Sequence, residues 1–526
     1  MKLVPSTAYK AIIVSSLLVV LSVSIMAQPK IAVQIIVDQL RSDYVEKFSS
    51  LYGDNGFKRL WNEGMVYING SCSYAQPDRS SATATLCTGA NPSYHGIIAN
   101  RYLDRRSLRV KGCVDDPSYI GINTAETTSP ANLLVTNLAD ELKIATIGHA
   151  LVYSVAPERE MAVLSGGHAA DGVLWMNDAD GQWSSSLFYG KSVPAWLSAY
   201  NHRDGTAYDF RRLKWTPLYS TGVYLFPSME EAPKAFCHTF SEKNIRRYKT
   251  SALVNDEVTA IAKNYLQDVH FGLDNTTDLL CVGFYAGNYD HQSEQYSSLE
   301  LQDIYCRLDK NIAEIVSEVE KKVGKDKMIV YLLSTGYIDV PQPAVGSYSM
   351  PTGEVRMDRC MVMLNTYLGA LYGEGNYVEA SYLNQLFLNH TLLEEKNLNM
   401  KDVQGRCIEF LGQMSGVKRV YASVELMGGM GTEEVRNSYY TDRSGDVILE
   451  VAPGWAIVDE RWGEKQWISR AQIPSPIVLW GLDIASGKSE EIFPMEAVAP
   501  TVASLLKVNV PNASAVRPIS ILKIER

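Results

Sequence analysis

Five runs of apolar, mostly β-branched residues punctuate the chain, at Ile31–Val37, Ala150–Val155, Leu279–Tyr285, Met328–Leu333 and Pro476–Trp480. Most are continuous rather than alternating, the pattern of strands covered on both faces. Helical periodicity lies between several of them. From about Ser297, Leu301, Ile304, Tyr305, Leu308, Ile312, Ile315, Val316 and Val319 recur at three- and four-residue steps, with acids and lysines opposite. A second helix is predicted from Ser129-Pro130, a cap followed by proline in the first turn, with Leu133, Leu134, Leu138 and Leu142 on its apolar face. Strands alternating with helices predict an α/β fold, a mainly parallel central sheet with helices on both faces. Segments at about 170–275 and 340–440 are less regular and rich in Tyr, Trp, Gly and Pro. They read as insertions at one end of the sheet, because the sheet-forming runs resume after each.

Composition narrows the setting. The chain has 526 residues, 46% hydrophobic and 21% charged, enough for a large core. Its first 27 residues carry Lys2 and Lys10, then an apolar run from Ala11 to Met26, with Ala27 before Gln28. That layout predicts a cleaved secretory signal, leaving 28–526 as one exported domain. No later stretch approaches about 18 uninterrupted apolar residues, so no transmembrane segment is expected after signal removal. Removing the two lysines takes the net charge from −10 to −12, and an acidic exterior argues against nucleic acid as a partner. The eight cysteines contain no Cys-x-x-Cys pair, and several are expected to be buried thiols.

The chemistry concentrates between Ile31 and Asn100. The first apolar strand ends in Asp38, Ser80 and Ser81 open a small-residue helix, and Asn100 follows His95-Gly96. A carboxylate at a strand end beside a hydroxyl at a helix start can place a metal ligand next to a nucleophile. The bland roles are equally concrete: Asp38 as a loop-capping acid, Ser80 as a helix N-cap, His95 as a structural residue of its turn. The helix start could also bind a small anion.

The chain resembles the alkaline phosphatase superfamily, in particular exported, monomeric bacterial alkaline phosphatases with a threonine nucleophile. The resemblance runs through Val37-Asp38-Gln39-Leu40-Arg41-Ser42-Asp43-Tyr44, Gly56-Phe57-Lys58-Arg59-Leu60, Thr88-Gly89, Pro92, His95-Gly96-Ile97 and Asn100. It continues through Arg307-Leu308-Asp309, Val323-Gly324-Lys325, Arg443-Ser444-Gly445-Asp446 and Ala499-Pro500-Thr501-Val502-Ala503-Ser504-Leu505-Leu506. It implies an alkaline-phosphatase-like sandwich whose strand ends at Asp38, Tyr285 and Ser334 converge with Ser80 and Asn100 around one pocket.

The family's chemistry uses two zinc ions. By resemblance Asp38 matches the first aspartate ligand, Ser80 the nucleophile and Asn100 the phosphate-contacting asparagine. The remaining ligand positions carry Asn288, Gln292, Gly336, Tyr337 and about Lys465, and the two basic phosphate contacts carry Glu158 and Glu160, ahead of Gly167-His168. Neighbouring groups could substitute: Asp290, His291 and Asp339 for metal ligands, Arg159 for a phosphate contact. The resemblance therefore implies a pseudophosphatase, with no cofactor, that binds a periplasmic or envelope protein partner or a ligand. The alternative is an active phosphomonoester or phosphodiester hydrolase using a serine nucleophile and a rearranged zinc site.

Overall fold

A computed structural model of the protein describes residues 28–202, 213–225, 234–291, 298–338, 351–467 and 473–521. The predicted signal, Gln292 and Asp339 lie outside these residues.

An eleven-stranded sheet forms the spine. At its centre Ile31–Asp38 runs parallel to Asp278–Tyr285 on one side and Met328–Ser334 on the other. Val152–Ala156 and Gly172–Met176 extend the parallel set, and Ile477–Gly481 joins antiparallel beyond Met328–Ser334. All eight residues of Ile31–Asp38 are buried, which accounts for its unbroken apolar pattern. Ile31, Val33, Ile35 and Val37 face one core, together with the helices Ala252–Asp268 and Leu299–Val323. Ala32 and Ile36 face the other, under Arg79–Thr88, Leu138–Ala145, Arg159–Gly166 and Val498–Leu506. The three-layer α/β sandwich predicted from the pattern is thus present.

Three boundaries differ from the sequence reading. The helix expected from Ser129-Pro130 starts at Leu138 instead. Asn137 caps it, accepting from the Asp140 backbone N–H while Asp140 accepts from that of Asn137, a reciprocal box that fixes the start eight residues later. Leu133 is buried from a turn and Leu134 is half exposed. The first irregular segment also begins too early, because Gly172–Met176 and Trp183–Ser186 are strands of the main sheet. The second runs past 440. Val378–Tyr382, Gln385–Leu388, Val447–Val451 and Val417–Ala422 form a separate sheet with its own core, packed by Met357–Tyr372 and Met400–Leu411.

The aromatic insertion is pinned by one carboxylate. Asp303, fully buried on the long helix, accepts from Trp215 Nε1 at 2.6 Å, Leu218 N at 2.6 Å, the Tyr224 hydroxyl at 2.6 Å and Arg307 Nε at 2.9 Å. Replacing it strands several donors and a partly buried guanidinium. Asp303→Ala is expected to cost about 3–5 kcal/mol, read as a lowered urea midpoint, with Asp303→Asn losing less.

Candidate active site

The strand ends converge as expected. Asp38 is in register with Tyr285, and Val37 with Ser334, so the loops that follow all three open at one edge. The Asp38 side chain is almost wholly buried, and its oxygens are in use. Oδ1 accepts from Thr335 Oγ1 at 2.9 Å; Oδ2 accepts from Arg79 Nε at 2.8 Å and from the Tyr337 hydroxyl at 3.3 Å. Thr335 Oγ1 in turn accepts from the Gln39 N–H at 2.9 Å, fixing the left-handed turn at Gln39. The cation on Asp38 is therefore a guanidinium supplied by the chain.

Arg79 is the first residue of its helix, one position before Ser80. Its other edge lies 3.9 Å from Glu158 Oε2. Glu158 also pairs with the buried Lys249 at 3.3 Å; Lys249 pairs with Asp178 at 2.6 Å, and Asp178 with Arg246 at 3.2 Å. Acids and bases thus alternate from the sheet's centre to the surface. Burial opposes every charge in the inner part of this chain, and the partners overcome it. Asp38 and Glu158 hold the Arg79 pKa well above the ordinary arginine value, Lys249 is raised chiefly by Glu158 and Asp178, and Lys249 and Arg79 lower Glu158.

The helix start is closed by the protein's own groups. Asp78 caps it, accepting from Ser81 N at 2.9 Å and Ser81 Oγ at 3.0 Å, and also from the Asn100 N–H. Burial raises the Asp78 pKa, partly offset by those N–H groups. The Ser80 N–H donates to Asn100 Oδ1 at 3.0 Å, and Ser80 Oγ accepts from Cys113 Sγ at 3.2 Å. Ser80 and Ser81 are both fully buried. Asn100 and Ser80 are thus brought together, but the two N–H groups an anion would use are occupied by Asn100 and Asp78.

The described substitutes named from sequence have partners of their own. Arg159 turns to Asp115 at 2.7 Å and Glu126 at 3.7 Å, with Glu160 at 3.4 Å. Asp290 pairs with Arg247 at 3.3 Å, and both Asp290 and His291 have positive φ. Lys465 sits in a strand of the insertion, bonded to Glu354. His95 is buried, its Nδ1 accepting from the Ile97 N–H and its Nε2 facing Thr85 Oγ1 at 3.1 Å; burial pushes its pKa down to about 3, so it is a neutral structural residue. His168 rests on Asp140 at 2.8 Å and on the Leu133 carbonyl. All eight cysteines are free thiols, six of them buried.

Among the described residues the donor set does not fit two zinc ions. No group of three or more His, Cys, Asp and Glu side chains among them is placed to hold a metal, and the matching carboxylate already carries a guanidinium. Sequence reading missed Arg79, Lys249 and Asp178. Arg79 was available as the single basic residue in the run Asp78-Arg79-Ser80-Ser81-Ala82-Thr83-Ala84, whereas Lys249 lies 91 positions from its partner Glu158.

Comparison with known proteins agrees with the fold. Residues 32–472 match the family of type I phosphodiesterases and nucleotide pyrophosphatases. Alkaline phosphatase PhoV of Synechococcus elongatus is 28% identical, over 93% of this chain and 92% of its own. Alkaline phosphatase PafA of Elizabethkingia meningoseptica is 27% identical, over 97% of each. The crystal structure of wild-type PafA superposes with a TM-score of 0.81 at 25% identity, covering 94% of this chain and 99% of that one.

The ion-pair chain has a pH signature. Because the Glu158 pKa lies below its ordinary 4.5, its contribution is complete above that value and is lost as pH falls through the lowered one. In Glu158→Gln the acid limb of a stability-against-pH curve should therefore be shallower below about pH 4.5. Arg79→Met, which leaves Asp38 buried without its cation, should cost about 3–5 kcal/mol at pH 7 in urea unfolding.

Proposed function

This chain belongs to the type I phosphodiesterase / nucleotide pyrophosphatase family, within the alkaline phosphatase superfamily, and from that membership we propose that it is a pseudophosphatase. It keeps the scaffold, has exchanged the two-metal site for internal ion pairs, and works by binding a protein partner in the periplasm or envelope. The observation that carries this reading is Arg79 on Asp38. Phosphoester hydrolysis in this superfamily depends on cations that activate a nucleophile and stabilise the leaving oxygen. The guanidinium on Asp38 is tied to two carboxylates and neutralised by them, so little of its charge is left for an incoming phosphate. Glu158 strengthens the reading, since a carboxylate beside the pocket repels a phosphate dianion. Burial of Ser80 Oγ against Cys113 supports it further, because a nucleophile must reach the reacting phosphorus.

Export is supported by the basic-then-apolar layout of residues 1–27, and the periplasm by the likeness to bacterial alkaline phosphatases. No described helix is long and apolar enough to cross a membrane. A ligand in the old pocket is a weaker reading than a protein partner, because the pocket's polar groups already satisfy one another.

The names of the relatives favour a second reading, an active metal-dependent phosphoester hydrolase. One experiment separates them. The mature protein is loaded with zinc, gel-filtered, analysed for metal and assayed on aryl phosphate mono- and diesters with zinc, magnesium or manganese. The pseudophosphatase should retain far less than one zinc per chain and turn over no faster than its Ser80→Ala and Ser81→Ala variants. About two retained zinc ions per chain, with turnover abolished in either serine variant, would establish the hydrolase instead.

A further inference from the structure

A second charged cluster lies outside the pocket, where the hairpin Arg101–Asp104 and Arg109–Gly112 meets the inserted sheet. Arg105, at the hairpin's turn, donates to both oxygens of Asp446, at 2.9 and 3.1 Å, and to the Ser444 carbonyl at 2.7 Å. His390 Nε2 lies 3.0 Å from the same Asp446 and 3.4 Å from Arg105 Nη1. Asp446 is buried and also accepts from the Leu388 N–H at 2.8 Å, which fixes it to the inserted sheet; His390 is half exposed. An arginine and a histidine from different parts of the fold thus share one carboxylate at contact distance from each other.

The hairpin's root reaches the pocket. Asn100 precedes its first strand and Cys113 follows its second, joined by a Cys113 N–H to Asn100 carbonyl bond of 2.9 Å. Both hold Ser80, through its N–H and its Oγ. The tip of one hairpin is latched to the insertion, and its base forms the pocket floor.

We propose that Arg105, Asp446 and His390 form an acid-responsive latch, in which protonated His390 takes Asp446 from Arg105 and releases the hairpin's turn from the inserted sheet. Release works against the apolar contact of Leu103 with Ala380, Tyr382 and Phe387, which holds the rest. The sign follows from linkage. The groups facing His390 are Asp446 and Glu379, which favour its charge, and Arg105, which opposes it; Tyr439 faces Asp446 and Arg105 from the adjoining loop. The net effect raises the His390 pKa, led by its bond to Asp446. With the hairpin released, Arg105 no longer opposes the charge and the pKa rises further. The released state therefore binds the proton more tightly, and acid populates it.

The test uses the full mature chain. Carbon-13 histidine labelling follows the His390 titration by NMR, and hydrogen exchange of residues 101–112, corrected for intrinsic pH dependence, is compared at pH 8 and pH 5.5. The His390 pKa should rise in Arg105→Gln and fall in Asp446→Asn. Exchange protection across the hairpin should drop several-fold at the lower pH in the wild type and stay level in His390→Gln, while the core strand Ile31–Asp38 remains protected in both. An unchanged His390 pKa in Arg105→Gln, or equal loss of hairpin protection in His390→Gln, would overturn the latch. Should Asp446→Asn fail to fold, the Arg105→Gln and His390→Gln arms decide alone.

Discussion

A carboxylate at the end of the central strand of an eleven-stranded sheet, almost without solvent, cannot stay ionised unaided. The strand that carries Asp38 is held by backbone pairing on both sides, up to Tyr285 and Ser334, so the carboxylate cannot move to water. The chain meets this constraint with three donors from two elements: the Thr335 and Tyr337 hydroxyls from the segment after Met328–Ser334, and Arg79 from the start of the helix beneath. Those contacts lock the segments that open the pocket to each other. The geometry of the helix start, the turn at Gln39 and the orientation of Glu158 all follow from where the guanidinium must sit.

The guanidinium that neutralises Asp38 also faces Glu158 on its other edge, and that second anion needs a cation of its own. Glu158 supplies the second anion, Lys249 compensates Glu158, and Asp178 compensates Lys249. The sequence of charges ends only at Arg246, which is largely exposed. Replacing one member of this series alone would leave a buried charge without a partner, at a cost of several kcal/mol. Asp38, Arg79, Glu158 and Lys249 together are neutral, and Asp178 with Arg246 adds a second neutral pair. Glu158, which the resemblance places at a phosphate contact, stands in the structure as a counter-charge to Arg79 and Lys249.

The parts legible in the sequence are those whose physics is local or strictly periodic. Strands buried on both faces announce themselves as unbroken apolar runs, and the 25-residue helix Leu299–Val323 as a sustained stripe with Ser298 at its cap. The helix expected from Ser129 was misplaced because a cap and a proline were given more weight than the reciprocal Asn137–Asp140 box nearer the real start. Asp38, Ser80 and Asn100 lie at one edge of the sheet. Their hydrogen-bond partners were not legible, because they depend on a side chain reaching across from position 79 and on a lysine in the insertion. Arg79 is the one residue of that run able to neutralise Asp38.

The residues that carry the family resemblance are, for the most part, those that hold the scaffold. Asp309 accepts from the Phe57 and Gly53 N–H groups, at 2.7 and 2.9 Å, and crowds Gly56 so closely that a Cβ there would collide with its carboxylate and carbonyl. Gly89 ends the Arg79–Thr88 helix in a left-handed conformation with Pro500 packed against it. Arg443 reaches the Gly96 and Asn132 carbonyls and lies over the rings of Tyr102 and Tyr440. Each of these contacts closes a turn or joins two segments, and none touches Asp38. Selection on the fold can therefore keep them whatever groups stand beside Asp38. Similarity measured over the whole chain reports chiefly on that framework, and the activity must be argued from the few side chains at the strand ends.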